Sequence, residues 1–89
     1  MNNVIDNAAA SRFELTVHRQ TAIAAYTRSG DAVVFTHTSV PPELAGQGIG
    51  SRLIAGALAQ VRAAGLKVVP ACSFVAAYVQ RHPAATNLA

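Results

Sequence analysis

THTSVPPELAGQGIGSRL, residues Thr36 to Leu53, runs from an apolar strand through a proline corner into a glycine-spaced helix start. Gly46, Gly48 and Gly50 alternate with Gln47 and Ile49, so the backbone can approach a ligand without interference from Cβ atoms. The first N–H groups of a helix lack intrahelical acceptors, and with the positive end of the helix dipole they suit a pyrophosphate. Two commoner phosphate motifs are excluded by the residues themselves. A P-loop requires Gly-Lys-Ser/Thr, whereas this loop ends Gly50-Ser51-Arg52. A dinucleotide fingerprint requires a third glycine where Ser51 stands and an acidic residue further on, yet no Asp or Glu follows Glu43.

Upstream of the loop, Phe13 to His18 alternates apolar and polar residues, Ala22 to Tyr26 is short and apolar, and Ala32 to Val40 is rich in Val, Phe and Thr. These are three strands. The Arg28-Ser-Gly-Asp31 turn signal and the link at Arg19 to Thr21 make them an antiparallel meander. Downstream, a helix from about Gly48 to Ala64 carries Leu53, Ile54, Ala57, Leu58 and Val61 on one stripe, and Gly65 ends it. Leu66 to Val69 reads as a buried strand, parallel to its predecessor through a right-handed crossover. Ser73 can cap a last helix to Arg81, with Phe74, Ala77 and Tyr78 at helical spacing, before Pro83 stops it. The expected fold class is therefore α/β (α+β): a three-stranded antiparallel meander joined by a βαβ crossover to a parallel fourth strand, then a short C-terminal helix. One domain over 12–83 is expected, between a flexible N-terminal tail at 1–11 and a C-terminal tail at 84–89.

A single folded domain is the expectation for eighty-nine residues, and a mean hydropathy of +0.31 places the chain among globular proteins. No apolar run approaches a membrane span, residues 1–12 carry no signal-peptide block, and the lone Cys72 forms no internal disulfide. A cytoplasmic location, no membrane association and a monomer or weak dimer are the expectations. Charge is divided unevenly. Residues 1–43 set Arg12, Arg19 and Arg28 against Asp6, Glu14, Asp31 and Glu43, while residues 44–89 carry Arg52, Arg62, Lys67 and Arg81 with no carboxylate side chain. Four dispersed cations without a stacking ladder argue against a nucleic-acid surface, yet they suffice to attract a small polyanion such as a nucleotide cofactor.

The order of strand, A-G-Q-G-I-G loop, amphipathic helix, strand and short Tyr-bearing helix resembles the cofactor-binding half of GNAT acetyltransferases. HTSVPPELAGQGIGSRL followed by GLKVVPACSFVAAYVQRHP is similar to very small single-domain GNAT N-acetyltransferases, over about Phe13 to Pro83. The resemblance implies an acetyl-CoA co-substrate held by Val40, Ala45, Gly46, Gln47, Gly48, Ile49, Gly50 and Ser51. The N–H groups from Gln47 to Ser51 would face the pyrophosphate, and pantetheine would lie between two splayed parallel strands. It also implies an amine acceptor, which the sequence does not identify. Four departures stand out: Ala45 where the motif usually has Gln or Arg, Ser39 where the subgroup commonly has Glu, Ser73 where it has Pro, and Ala84-Ala85 where an acidic and aromatic pair often follows Arg-His-Pro.

Acetyl transfer needs a neutral amine, donors for the tetrahedral oxyanion and a proton for the departing thiolate. His37 is a candidate base, imidazole being the side chain that exchanges protons near neutrality, with a strand histidine tied to backbone as its structural alternative. Cys72 could accept the acetyl group if a following helix N-terminus favours its thiolate, or be a small buried hydrophobe. Tyr78 resembles the tyrosine that many GNAT enzymes use to protonate the CoA sulfur, or is a core aromatic. His37 and Cys72, at the carboxyl ends of adjacent strands, are expected to face each other. His18 and His82 have no metal-like spacing, so no metal is expected. A direct attack of the amine on acetyl-CoA is favoured, with a non-catalytic CoA-binding or protein-interaction module as the alternative.

Overall fold

From Phe13 to Val17 and again from Ala22 to Tyr26 every second residue is apolar or small, and in the computed structural model, which describes residues 4–83, the two runs share one sheet face that is largely buried. The strands β1 (Ile5–Asn7), β2 (Arg12–Val17), β3 (Gln20–Ser29), β4 (Ala32–Ser39) and β5 (Lys67–Pro70) lie side by side in that order. Neighbouring pairs among β1 to β4 are antiparallel, and β5 runs parallel to β4. Register places Phe13 beside Ala24, Tyr26 beside Phe35, and Val33 beside Val68, all buried. Helix α1 (Ile49–Ala63) closes this face with Leu53, Ile54, Ala57, Leu58 and Val61, each at most 2% exposed. The residues registered on the other face, among them Glu14, Ile23, Ala25, Val34, His37 and Val69, are all half-buried or exposed. The mixed architecture of meander, crossover and C-terminal helix is the expected one.

Three local features depart from the sequence reading. His18 and Arg19, at φ +50° and +65°, form the two-residue turn between β2 and β3, the left-handed pair that a tight hairpin demands. Residues 4–11, expected within a flexible tail, instead carry β1, whose three residues are too few for periodicity to register. Long-range ties hold them: Gln60 Nε2 donates to the Val4 carbonyl at 2.6 Å, the Tyr26 hydroxyl donates to Asp6 at 2.6 Å, and Val4 packs where Gly56 leaves no Cβ. The last helix, α2 (Ser73–Arg81), has Cys72 rather than Ser73 at its cap position, without a capping side-chain bond, and buries Val75, Tyr78 and Val79 while Phe74 and Ala77 are exposed. The 84–89 tail lies outside the described residues. Among the described residues, no helix is long and apolar enough to cross a membrane.

The Tyr26–Asp6 bond has a consequence in alkali. Burial and the adjacent carboxylate raise the phenol from 10 to about 12, so the folded state holds its proton more tightly than the unfolded chain. This stabilisation is complete below pH 10 and is lost as pH rises towards 12. Denaturant melts across that window should lose stability steeply in the wild type and flatten in Tyr26→Phe; equal slopes would remove Tyr26 as the cause.

At the other end of α1, Gly65 at φ +72° closes the helix, with its N–H on the Arg62 carbonyl and the Leu66 N–H on Val61. The chain then enters β5, whose ladder with β4 stops at Phe35 and Pro70. Pro70 has no N–H to continue it, and a tight turn bonding the Ala71 N–H to the Val69 carbonyl swings the chain away. Cys72 makes the last tie, its N–H donating to the Phe35 carbonyl at 2.8 Å. Strand β4 continues to Ser39, so its far end has no ladder partner on the β5 side.

Candidate functional site

The unpaired end of β4 leads into Val40, a 3₁₀ turn at Pro42–Leu44 and the glycine loop. Leu44 is the buried anchor of that turn, and Ala45 follows it in extended conformation. Gly46 and Gly48 take φ +79° and +70°, which L side chains adopt only at a cost, and open space lies where their Cβ atoms would be. Gly48 stands at the N-cap of α1 with no capping side chain, and no acidic residue occupies the first turn. The first helical bond joins the Arg52 N–H to the Gly48 carbonyl, so the Ile49, Gly50 and Ser51 N–H groups have no partner within the helix.

Around this helix start lies a cleft of about 290 Å³. Val40, Ala45, Gly46, Gly48, Ile49, Gly50 and Ser51, seven of the eight residues anticipated for the co-substrate, line it. Gln47 is not brought in: its amide donates to the Glu43 carbonyl at 3.2 Å, bracing the loop instead. Phe74 is the wall that sequence reasoning missed, having been noted only for its helical spacing with Ala77 and Tyr78. A Cβ on Gly50 would lie 2.6 Å from its ring, so this glycine makes room for Phe74. A glycine inside a helix start opposite a solvent-facing aromatic was the available signal.

The side chains proposed for chemistry are less closely gathered. Thr38 Oγ1 and Cys72 Sγ meet at 3.4 Å. His37 precedes Thr38 on the same strand, registers with Ala25 rather than the buried Ala24, and is exposed, so it faces the opposite side of the sheet. The expected His37–Cys72 pair does not form, because one residue along a strand reverses the side-chain direction. Burial pushes the Cys72 thiol up, but hydrogen bonds from the Thr38 side chain and from the Val75, Phe74 and Thr38 backbone outweigh it and hold the thiol below its usual range. Tyr78 is buried in the core, its ring centroid 4.4 Å from that of the exposed His82. His18, also exposed, lies at the distant β2–β3 turn.

A family model described as GCN5-related N-acetyl-transferase matches residues 12–88. The chain belongs to this family. No curated protein matches it. Acyl transfer is the chemistry of GCN5-related N-acetyltransferases, and the match spans β2 to α2, including the glycine loop and both strands that diverge beneath it. Ala45 is exposed on the cleft rim. If CoA occupies this cleft, Ala45→Arg should tighten it about tenfold at low ionic strength, equivalent to about 1.4 kcal/mol, by adding a cation beside phosphate. Calorimetry showing no change at low salt would place residue 45 away from the phosphates.

Proposed function

We propose that this protein is an acetyl-CoA-dependent N-acetyltransferase in which an amine attacks the thioester directly. The observation that carries the reading is the uncapped start of α1 inside a cleft continuous with the unpaired end of β4. Three free N–H groups on a positive helix end, with no carboxylate in the first turn, fit a pyrophosphate and would hold that of CoA. The β4 edge beyond Phe35 offers backbone partners to the amides of a pantetheine arm. When bound, acetyl-CoA supplies an acyl group activated as a thioester.

The amine nitrogen would form a bond to the acyl carbon as the carbon–sulfur bond breaks, giving an amide and CoA thiol. The amine gives up a proton, with His37 as the proposed acceptor, and the departing thiolate takes one up. The Thr38–Cys72 contact makes Cys72 part of the pocket wall, in keeping with direct attack. Tyr78, packed into the core against His82, retains its proposed role as proton donor to sulfur only if the thioester reaches its hydroxyl. Thermal shift with acetyl-CoA, CoA and NAD tests the binding half of the reading: the first two should stabilise the fold and NAD should not. Loss of thioester with a panel of amines tests turnover. Stabilisation by CoA without acetyl transfer to any amine would leave the non-catalytic CoA-binding module as the function.

A further inference from the structure

A second cavity, of about 220 Å³, opens where α1 ends over the opposite end of the sheet. Gln60 contributes to it and Gly50 to the first cleft, and ten residues of helix separate them by roughly 15 Å at 1.5 Å per residue. The fold makes this cavity for an identifiable reason. Asp6, Phe13, Tyr26, Arg28 and Val33 register on the helix-facing side of their strands, and the chain turns away through Gly65 before α1 can cover them. The space is that of about seven waters at ~30 Å³ each, suited to a small molecule.

Its chemistry has two poles over an apolar floor. At one pole is the Asp6 carboxylate, fixed by the Tyr26 hydroxyl on Oδ1, near the negative end of α1. At the other is Arg28, whose Nη2 donates at a loose 3.3 Å to the Gly30 carbonyl. Both side chains line the same space, yet they form no ion pair with each other; the ion pairs among the described residues are Arg12–Glu14 and Lys67–Asp31. Phe13, Val33, Val61 and Leu66 supply its apolar surface. Opposite charges that share a cavity without meeting leave one place for an ammonium and another for a carboxylate.

We propose that this cavity binds an α-amino acid with an aliphatic side chain, its ammonium on Asp6, its carboxylate on Arg28 and its side chain against Phe13, Val33 and Leu66. The site is separate from the CoA cleft and does not depend on the acetyltransferase reading. It gives the domain a ligand-binding position at the opposite end of α1 from the proposed chemistry.

Amide chemical shifts of the isotopically labelled full chain, titrated with L-leucine into the millimolar range, test this. Saturable shifts should centre on Tyr26, Arg28 and Leu66. Leucinamide, without the carboxylate, and N-acetylleucine, without the ammonium, should each bind about tenfold more weakly or worse. Arg28→Gln, a change at an exposed side chain, should weaken leucine to a similar degree while leaving 3-methylbutylamine and CoA binding unchanged. Asp6→Asn should weaken both leucine and the amine, with its melting temperature reporting whether β1 stays docked. No saturable shift at these residues, binding of either blocked derivative as tight as that of leucine, or wild-type leucine affinity in Arg28→Gln would each overturn the proposal.

Discussion

Gly48→Val should leave CoA binding weakened by a hundredfold or more. Gly48 sits at φ +70°, where an L side chain costs on the order of 1–2 kcal/mol and a β-branched one more. Valine would relieve that strain by turning the peptide that leads into α1, which rotates the Ile49, Gly50 and Ser51 N–H groups away from their common direction. Loss of two charge-assisted hydrogen bonds, at ~1.5–3 kcal/mol each, amounts to roughly 3–6 kcal/mol, or more than a hundredfold in affinity. Asparagine tolerates the left-handed region, so Gly48→Asn should lose about tenfold or less although it too places a Cβ in the cleft. The domain should survive either change, since its stability is expected to be roughly 4–13 kcal/mol for this length. Calorimetry with CoA, beside thermal melts, reads both effects. Wild-type affinity in a folded Gly48→Val protein would detach the helix start from the co-substrate.

The second large effect is expected at His37. His37→Ala should lower turnover by about 10²-fold, the usual scale for a general base, with CoA affinity retained. Cys72→Ala should keep most of the activity, because the amine does not pass through the thiol. Opposite faces of β4 are the structural reason: an imidazole exposed on one side cannot activate a sulfur held by Thr38 on the other. Mass spectrometry after incubation with acetyl-CoA alone discriminates the routes. Stoichiometric acetylation of Cys72 that an added amine discharges would overturn direct attack, whereas an unlabelled Cys72 with a slow His37→Ala enzyme would support it.

Much of this architecture was legible because its signals are local. The stripe from Leu53 to Val61, the glycine at 65 and the alternation from Phe13 are each written within one element, and the structure uses all three. The cleft was legible for the same reason, its glycines, helix start and preceding strand being consecutive. What escaped was set by contacts distant in sequence. Strand β1 exists through Asp6–Tyr26 and Val4–Gln60, which no window over residues 4–11 contains. Spacing placed Phe74 on the last helix and said nothing of the cleft, whereas Gly50 offers its ring a place at the cleft wall. His37 and Cys72 were paired by proximity of strand ends, an argument that locates backbones and is silent on the pleat. Thr36 adds to that difficulty: Tyr26 registers with Phe35 but Ala25 with His37, so an extra residue shifts the alternation there.

The proline that stops the β5 ladder also creates a hazard. Beyond Phe35 the rim of β4 that faces β5 has no ladder partner, only the Cys72 thiol against Thr38, so an extended segment, including one from another molecule, can approach its outer end. Such a rim invites edge-to-edge association. An arm of ligand laid along it would occupy the same backbone groups and deny them to a foreign strand. If that arm is the pantetheine of the proposed co-substrate, emptying the cleft would lay the rim bare again.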